Sequence, residues 1–170
     1  MAPSDHDAAL RDPWEAAAPG HLPPRTQALL ARDACAHAHG IIVEEAGDGH
    51  SRLSLTVRPD MLNSHGICHG GIIFLLADTA LAYAANAGET PAVSTGAQVH
   101  YLAPARPGDT LSATCRAVHQ GPKSGLYDVV VAHQDGDVIA TFRGQSLHTK
   151  NVVPRQGALS PGTAADRPRG

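Results

Sequence analysis

"MLNSHGICHGGIIFLLADTALAYAANAG", residues 61–88, opens as a loop rich in His and Gly and then turns almost wholly apolar around one acid, Asp78. The apolar run from Ile72 to Ala85 falls short of the roughly 20 residues needed to cross a bilayer, so it reads as a buried helix. On a helix, residues three, four and seven apart share a face. Ile73, Leu76, Ala77, Ala80 and Ala84 make one face, assigned to a sheet. Asp78 lies on the other side with Gly71, Phe74, Leu75, Leu81, Ala82 and Ala85. That side is too apolar to face water along its length, so the same helix of a second subunit is its expected partner. An ionised carboxylate there costs several kcal/mol of desolvation unless it is paired or put to use. An Arg, a backbone amide or a Ser are the structural partners open to it.

The remaining chain supplies the sheet. "IIVEEAGDGHSRLSLTVRP" holds two strands about the hairpin signal Gly47-Asp48-Gly49, with Leu53, Leu55 and Val57 alternating onto one face. After the helix come four strand-like stretches, "PAVSTGAQVHYLAPA", "DTLSATCRAVHQG", "GLYDVVVAHQD" and "DVIATFRGQSLHTK". Pro107-Gly108-Asp109, Pro122-Lys123-Ser124 and Asp135-Gly136 are turns between them. Ahead of all this, "PPRTQALLARDACAHAHG" predicts one helix ending at Gly40. The expected class is α+β, a long central helix wrapped by an antiparallel sheet of five to six strands. The domain spans 23–150, between a flexible N-terminal arm, 1–22, rich in Pro, Ala, Asp and Gly, and a disordered C-terminal tail, 151–170, with Pro, Gly and Arg and no apolar period.

Composition narrows the function. The chain of 170 residues has 13 Lys and Arg against 16 Asp and Glu, a net charge of −3, with no basic run. Nucleic acid is therefore not an expected partner, and neither is a membrane. The N-terminal residues lack the basic end and apolar stretch of a signal peptide, and the three spaced cysteines, Cys35, Cys68 and Cys115, read as reduced thiols. A cytoplasmic protein is expected.

In "NSHGICHGG" the glycines allow close approach to the backbone, and His69-Gly70 fall where the helix begins. Free amides and the positive end of the dipole point outward there, suited to an anion or a carbonyl oxygen becoming one. Asp78 lies eight residues on, about 12 Å along the axis, too far for one carbonyl to touch both. An antiparallel partner helix would bring the acid of one subunit to the amides of the other, so a composite site is expected.

Asn63, Gly66, His69, Gly70, Gly71 and Leu76-Ala77-Asp78 follow an N-x-x-G-x-x-H-G-G…L-A-D pattern that resembles the hotdog-fold acyl-CoA thioesterases of the PaaI type, from phenylacetate degradation. "AYA", "GDTL", "HQG", "YD" and "FRG" fall where such a protein has them, and the likeness spans roughly 24–150. The resemblance implies dimers pairing into homotetramers and hydrolysis of aryl-acetyl-CoA to the free acid and CoA. It implies Asp78 as catalytic carboxylate, the Gly70 amide as the group polarising the thioester carbonyl, and Asn63 as the side chain placing water or substrate. His69, Gly71 and Thr79 are implied to line the substrate; His69 either contacts the thioester or orients the loop through a structural hydrogen bond, and Thr79 bonds either a water or its own backbone. No cofactor is implied, CoA being part of substrate and product. "HYLAPA" departs from many relatives in carrying Ala103 where they have Arg, a residue that often lies near the nucleotide of the coenzyme.

Rival chemistries lack their residues. His65 and His69 are spaced i, i+4, but no third ligand is fixed by spacing and no H-E-x-x-H or paired C-x-x-C occurs, so no metal is expected. There is no G-x-S-x-G serine elbow. A hotdog-fold dehydratase or hydratase needs a different His and carboxylate pairing. A non-catalytic acyl-CoA-binding protein has no need of Asp78.

Overall fold

The computed structural model describes residues 22–149. The expected arm, apart from Leu22, and the tail lie outside the described residues. The elements run α1 (Pro24–Leu30), α2 (Ala34–His39), β1 (Ile42–Gly47), β2 (His50–Thr56), α3 (Gly70–Asn86), β3 (Ala92–Tyr101), β4 (Thr110–Gln120), β5 (Ser124–His133) and β6 (Val138–His148). This is the α+β architecture expected, with six strands in one antiparallel sheet ordered β1-β2-β4-β5-β6-β3.

The sheet folds around α3. Ile73, Leu76, Ala77, Ala80 and Ala84 are all buried, against Leu53, Leu55, Leu111, Val129, Val131 and Phe142 from the strands. Each large aliphatic side chain so buried contributes about 1.5–3 kcal/mol. The hairpin between β1 and β2 turns on Asp48-Gly49, with Gly49 at φ 78°, a conformation that suits glycine. Leu53, Leu55 and Val57 point inward as their alternation predicts.

Two expectations need correction. The single N-terminal helix is two, because Asp33 leaves the helical conformation (ψ 79°) and caps the second, accepting from the Ala36 amide at 2.9 Å. Its other oxygen accepts from the Tyr83 hydroxyl at 3.2 Å, which fixes the break against α3. Leu81 and Ala85, assigned to the subunit-facing side of α3, are instead buried within the chain. The sheet reaches further round the helix than half its circumference. Gly144 permits this, since a Cβ there would collide with Leu81 Cδ1. Phe74, Leu75 and Ala82 remain only partly covered, beside Asp78.

The strand next to that uncovered side is β3, at the edge of the sheet and ten residues long. Most of it is exposed, and its outer row of backbone groups has no ladder partner among the described residues. No helix among the described residues is long and apolar enough to cross a membrane.

Candidate active site

The loop before α3 is organised by Asn63. Its side-chain carbonyl accepts from the amides of His65 (2.9 Å) and Ile67 (3.4 Å), and its own amide donates to the Ile67 carbonyl at 2.9 Å. With that oxygen committed, the NH2 group is what Asn63 has left to offer a substrate. Gly66 closes the loop at φ 72°.

His69 caps α3. Its Nδ1 accepts from the Gly71 amide at 2.9 Å, so a neutral His69 carries its proton on Nε2. The Gly71 amide is thus occupied within the chain, while the amides of Ile72 and Ile73 turn to the His69 carbonyl. The Gly70 N–H, at the first helical position, has no carbonyl one turn back to bond. It sits at the positive end of a 17-residue helix, where developing negative charge on an oxygen is favoured.

Tyr101, from the last residue of β3, closes over this point. Its hydroxyl donates to the Gly70 carbonyl at 2.9 Å, and a Cβ on Gly70 would lie 3.0 Å from its Cζ. Asn63, Cys68, Gly70, Ile73, Tyr101 and Ala103 line a cleft of about 400 Å³ here. Cys68 is no nucleophile, since burial pushes its thiol up to about 11 and keeps it protonated near neutrality.

Asp78 stands two turns further along α3, half-buried, and its Oδ1 accepts from the Ser94 hydroxyl of β3 at 3.0 Å. Of the structural partners open to the acid, Ser is the one it has. Oδ2 has no bond of this kind among the described residues. Thr79 bonds its own backbone, its hydroxyl donating to the Leu75 carbonyl at 2.7 Å. Within one chain, then, Asn63, His69 and Gly70 gather at the helix start while Asp78 is apart from them. Among the described residues no group of three or more His, Cys, Asp or Glu is placed to hold a metal ion.

Ser94 and Tyr101 were not singled out in the sequence. Both face α3 from a strand whose polar "STG" stretch gives no alternation to follow; "VSTGAQVHY" reads as a surface strand. The signal available was the helix itself, which needs a donor for Asp78 and a neighbour for Gly70.

Residues 65–140 match the model of the thioesterase superfamily. The chain is 43% identical over 119 residues to the acyl-coenzyme A thioesterase PaaI of Escherichia coli K12, covering 70% of this chain and 85% of that protein. The solved structure of E. coli PaaI, from the phenylacetic acid degradation operon, superposes with a TM-score of 0.72 at 41% identity, covering 74% of this chain and 91% of the other. A hypothetical thioesterase from Streptococcus pneumoniae TIGR4, solved with coenzyme A, superposes with a TM-score of 0.62 at 26% identity, over 64% and 85% of the two chains. The chain belongs to the thioesterase superfamily, among the PaaI-like acyl-CoA thioesterases of hotdog fold, and is a thioester hydrolase.

Proposed function

We propose that this thioesterase hydrolyses aryl-acetyl-CoA thioesters, phenylacetyl-CoA or its ring-hydroxylated forms, freeing CoA held up in phenylacetate catabolism in the cytoplasm. The observation that carries the substrate class is the identity with E. coli PaaI over most of that protein's length. The uncharged cleft beside Gly70, with Tyr101 and Ile73 in its wall, suits an aromatic acyl group.

The working unit is a dimer, two of which form a tetramer. Support comes from the exposed β3 edge, the partly covered Phe74, Leu75 and Ala82, and the span of α3 between Asp78 and Gly70. An antiparallel partner brings one subunit's Asp78 to the other's Gly70 and Asn63. The thioester carbonyl then lies on the Gly70 amide, and the Asn63 NH2 and His69 Nε2 border the substrate.

Asp78 Oδ2 takes a proton from water as the water oxygen bonds to the carbonyl carbon, and the oxyanion forms against the Gly70 amide. Collapse breaks the C–S bond. The thiolate of CoA leaves and recovers the proton, giving carboxylic acid and CoA. Attack by the Asp78 carboxylate itself, with a later hydrolysis of the anhydride, uses the same residues. Neither route calls for a cofactor or a metal.

The test is release of free CoA, read with a thiol-reactive dye, from phenylacetyl-, hydroxyphenylacetyl-, benzoyl- and straight-chain acyl-CoAs. A kcat/KM highest for the aryl-acetyl members supports the proposal. A preference for straight chains removes the substrate assignment and leaves the thioesterase.

A further inference from the structure

A row of polar groups crosses four strands on the side of the sheet that faces α3. Ser94 of β3 is opposite Ser146 of β6, Ser146 is opposite Gly125 of β5, and Gly125 is opposite Gln120 of β4. Residues directly opposite in an antiparallel ladder point to the same face. The gap at Gly125 is filled from along its own strand. A Cβ there would meet Tyr127 Cε2 at 2.5 Å and the Tyr127 hydroxyl at 2.8 Å, so that hydroxyl occupies the Gly125 place in the row.

Ser146 and Gln120 flank it, and both oppose the rise that burial imposes on the Tyr127 phenol. The far end of the row is anchored, the Gln120 amide donating to Asp48 Oδ1 at 2.9 Å. The near end is the bond from Ser94 to Asp78.

Tyr127 is 0% and Ser146 1% exposed, yet neither hydroxyl makes a hydrogen bond of good geometry within the described residues. Buried hydroxyls are costly in that state, and a Phe and an Ala would fill the same space without the cost. Catalytic hydrogen bonds are commonly long in a free enzyme and tighten with substrate. Each hydroxyl has one proton and two lone pairs. With the Ser94 proton given to Asp78, only one direction is open to the donors as the row tightens: Tyr127 to Ser146, Ser146 to Ser94, Ser94 to the carboxylate.

We propose that Tyr127 and Ser146 are positioning residues for the hydrolysis, acting on Asp78 through Ser94. The row fixes the rotor of Ser94, which holds Oδ1 and leaves Oδ2 as the oxygen that meets the nucleophile. Aligned donors also strengthen one another, and the buried Tyr127 and Ser146 stand behind the more exposed bond from Ser94 to the carboxylate. No bond in the row is made or broken during turnover. The proposal rests on the catalytic role given to Asp78 above.

The experiment is a mutant cycle in the intact enzyme, with kcat and KM from CoA release and folding followed by thermal unfolding. Tyr127→Phe and Ser146→Ala are each expected to lower kcat by about tenfold with KM within about twofold, the scale of one hydrogen bond feeding a charged acceptor. Tyr127→Phe should leave the unfolding midpoint unchanged or raised. In a Ser94→Ala background, either change should have no further effect on kcat, because the link to Asp78 is already cut.

Unchanged kcat in Tyr127→Phe and Ser146→Ala, with Asp78→Asn inactive, overturns the row and leaves the role of Asp78 standing. Losses that multiply fully with Ser94→Ala also overturn it, since the residues then act by another path. Full activity in Asp78→Asn overturns the mechanism and the row together.

Discussion

The hydroxyl of Tyr101 donates to the carbonyl of Gly70 across 2.9 Å, tying the last residue of β3 to the first residue of α3. The same ring stands where a side chain on Gly70 would go. Gly70→Ala therefore pushes the half-exposed ring aside and breaks that tie. The fold should survive with its unfolding midpoint moved by a few degrees, while kcat/KM falls by about tenfold or more as the Gly70 amide loses its alignment. Unaltered kcat/KM would show that the amide is not where the carbonyl binds.

Asp78→Asn keeps the shape of the side chain and its bond to Ser94 but cannot take a proton. Turnover should fall by about a hundredfold or more, the usual worth of a general base, with the oligomer unchanged by size-exclusion chromatography. Asn63→Ala frees the amides of His65 and Ile67 and should be milder. Dissociation of Asp78→Asn would instead assign the acid to assembly.

Mixing two impaired proteins tests the composite site. Asp78→Asn and Gly70→Ala subunits, unfolded together and refolded, should recover about a quarter of wild-type activity, since half the dimers are hybrids and each hybrid has one intact site. No recovery would place acid and amide in one chain.

The helix, the six strands and the burial of Ile73, Leu76, Ala77, Ala80 and Ala84 were legible because periodicity reports which face meets a core. The order of the strands was not, since turn residues mark where a chain reverses and not which neighbour it finds. Leu81 was misplaced because its burial depends on Gly144, some sixty residues away, having no side chain. The break at Asp33 was available as an N-cap inside a helical pattern. Asn63, His69, Gly70 and Asp78 were legible as a spaced set, whereas Ser94 and Tyr101 join the site through the sheet and have no local signature.

The thiols offer a separate check. Cys35 is exposed, whereas burial pushes Cys68 up to about 11 and Cys115 up to about 12. A thiol-reactive dye at pH 8 should label one cysteine quickly and the other two after unfolding. Cys35→Ser should abolish the fast phase. Fast labelling of Cys68 would mean that the loop over it opens readily.

Asp109 gives a pH dependence. The Arg106 amide, donating at 2.7 Å, and then His133 hold its carboxyl below the usual range. A depressed carboxylate stabilises the fold above its unfolded pKa of about 3.9 and loses that contribution as pH falls through the lower folded value. Asp109→Asn should thus be less stable than wild type at pH 7, with the difference shrinking below about pH 4. A difference independent of pH in chemical denaturation would contradict this.

Strand order also sets a schedule for the newborn chain. β3 ends at Tyr101 and pairs with β6, which begins at Val138. At about 5–20 residues per second, a ribosome takes seconds to deliver that neighbour. Through those seconds β3 has neither neighbour, while α3 and the first hairpin have already emerged. A chain in which β3 has emerged ahead of β6 presents a ten-residue strand open along both sides, which is where a holding chaperone would find this polypeptide.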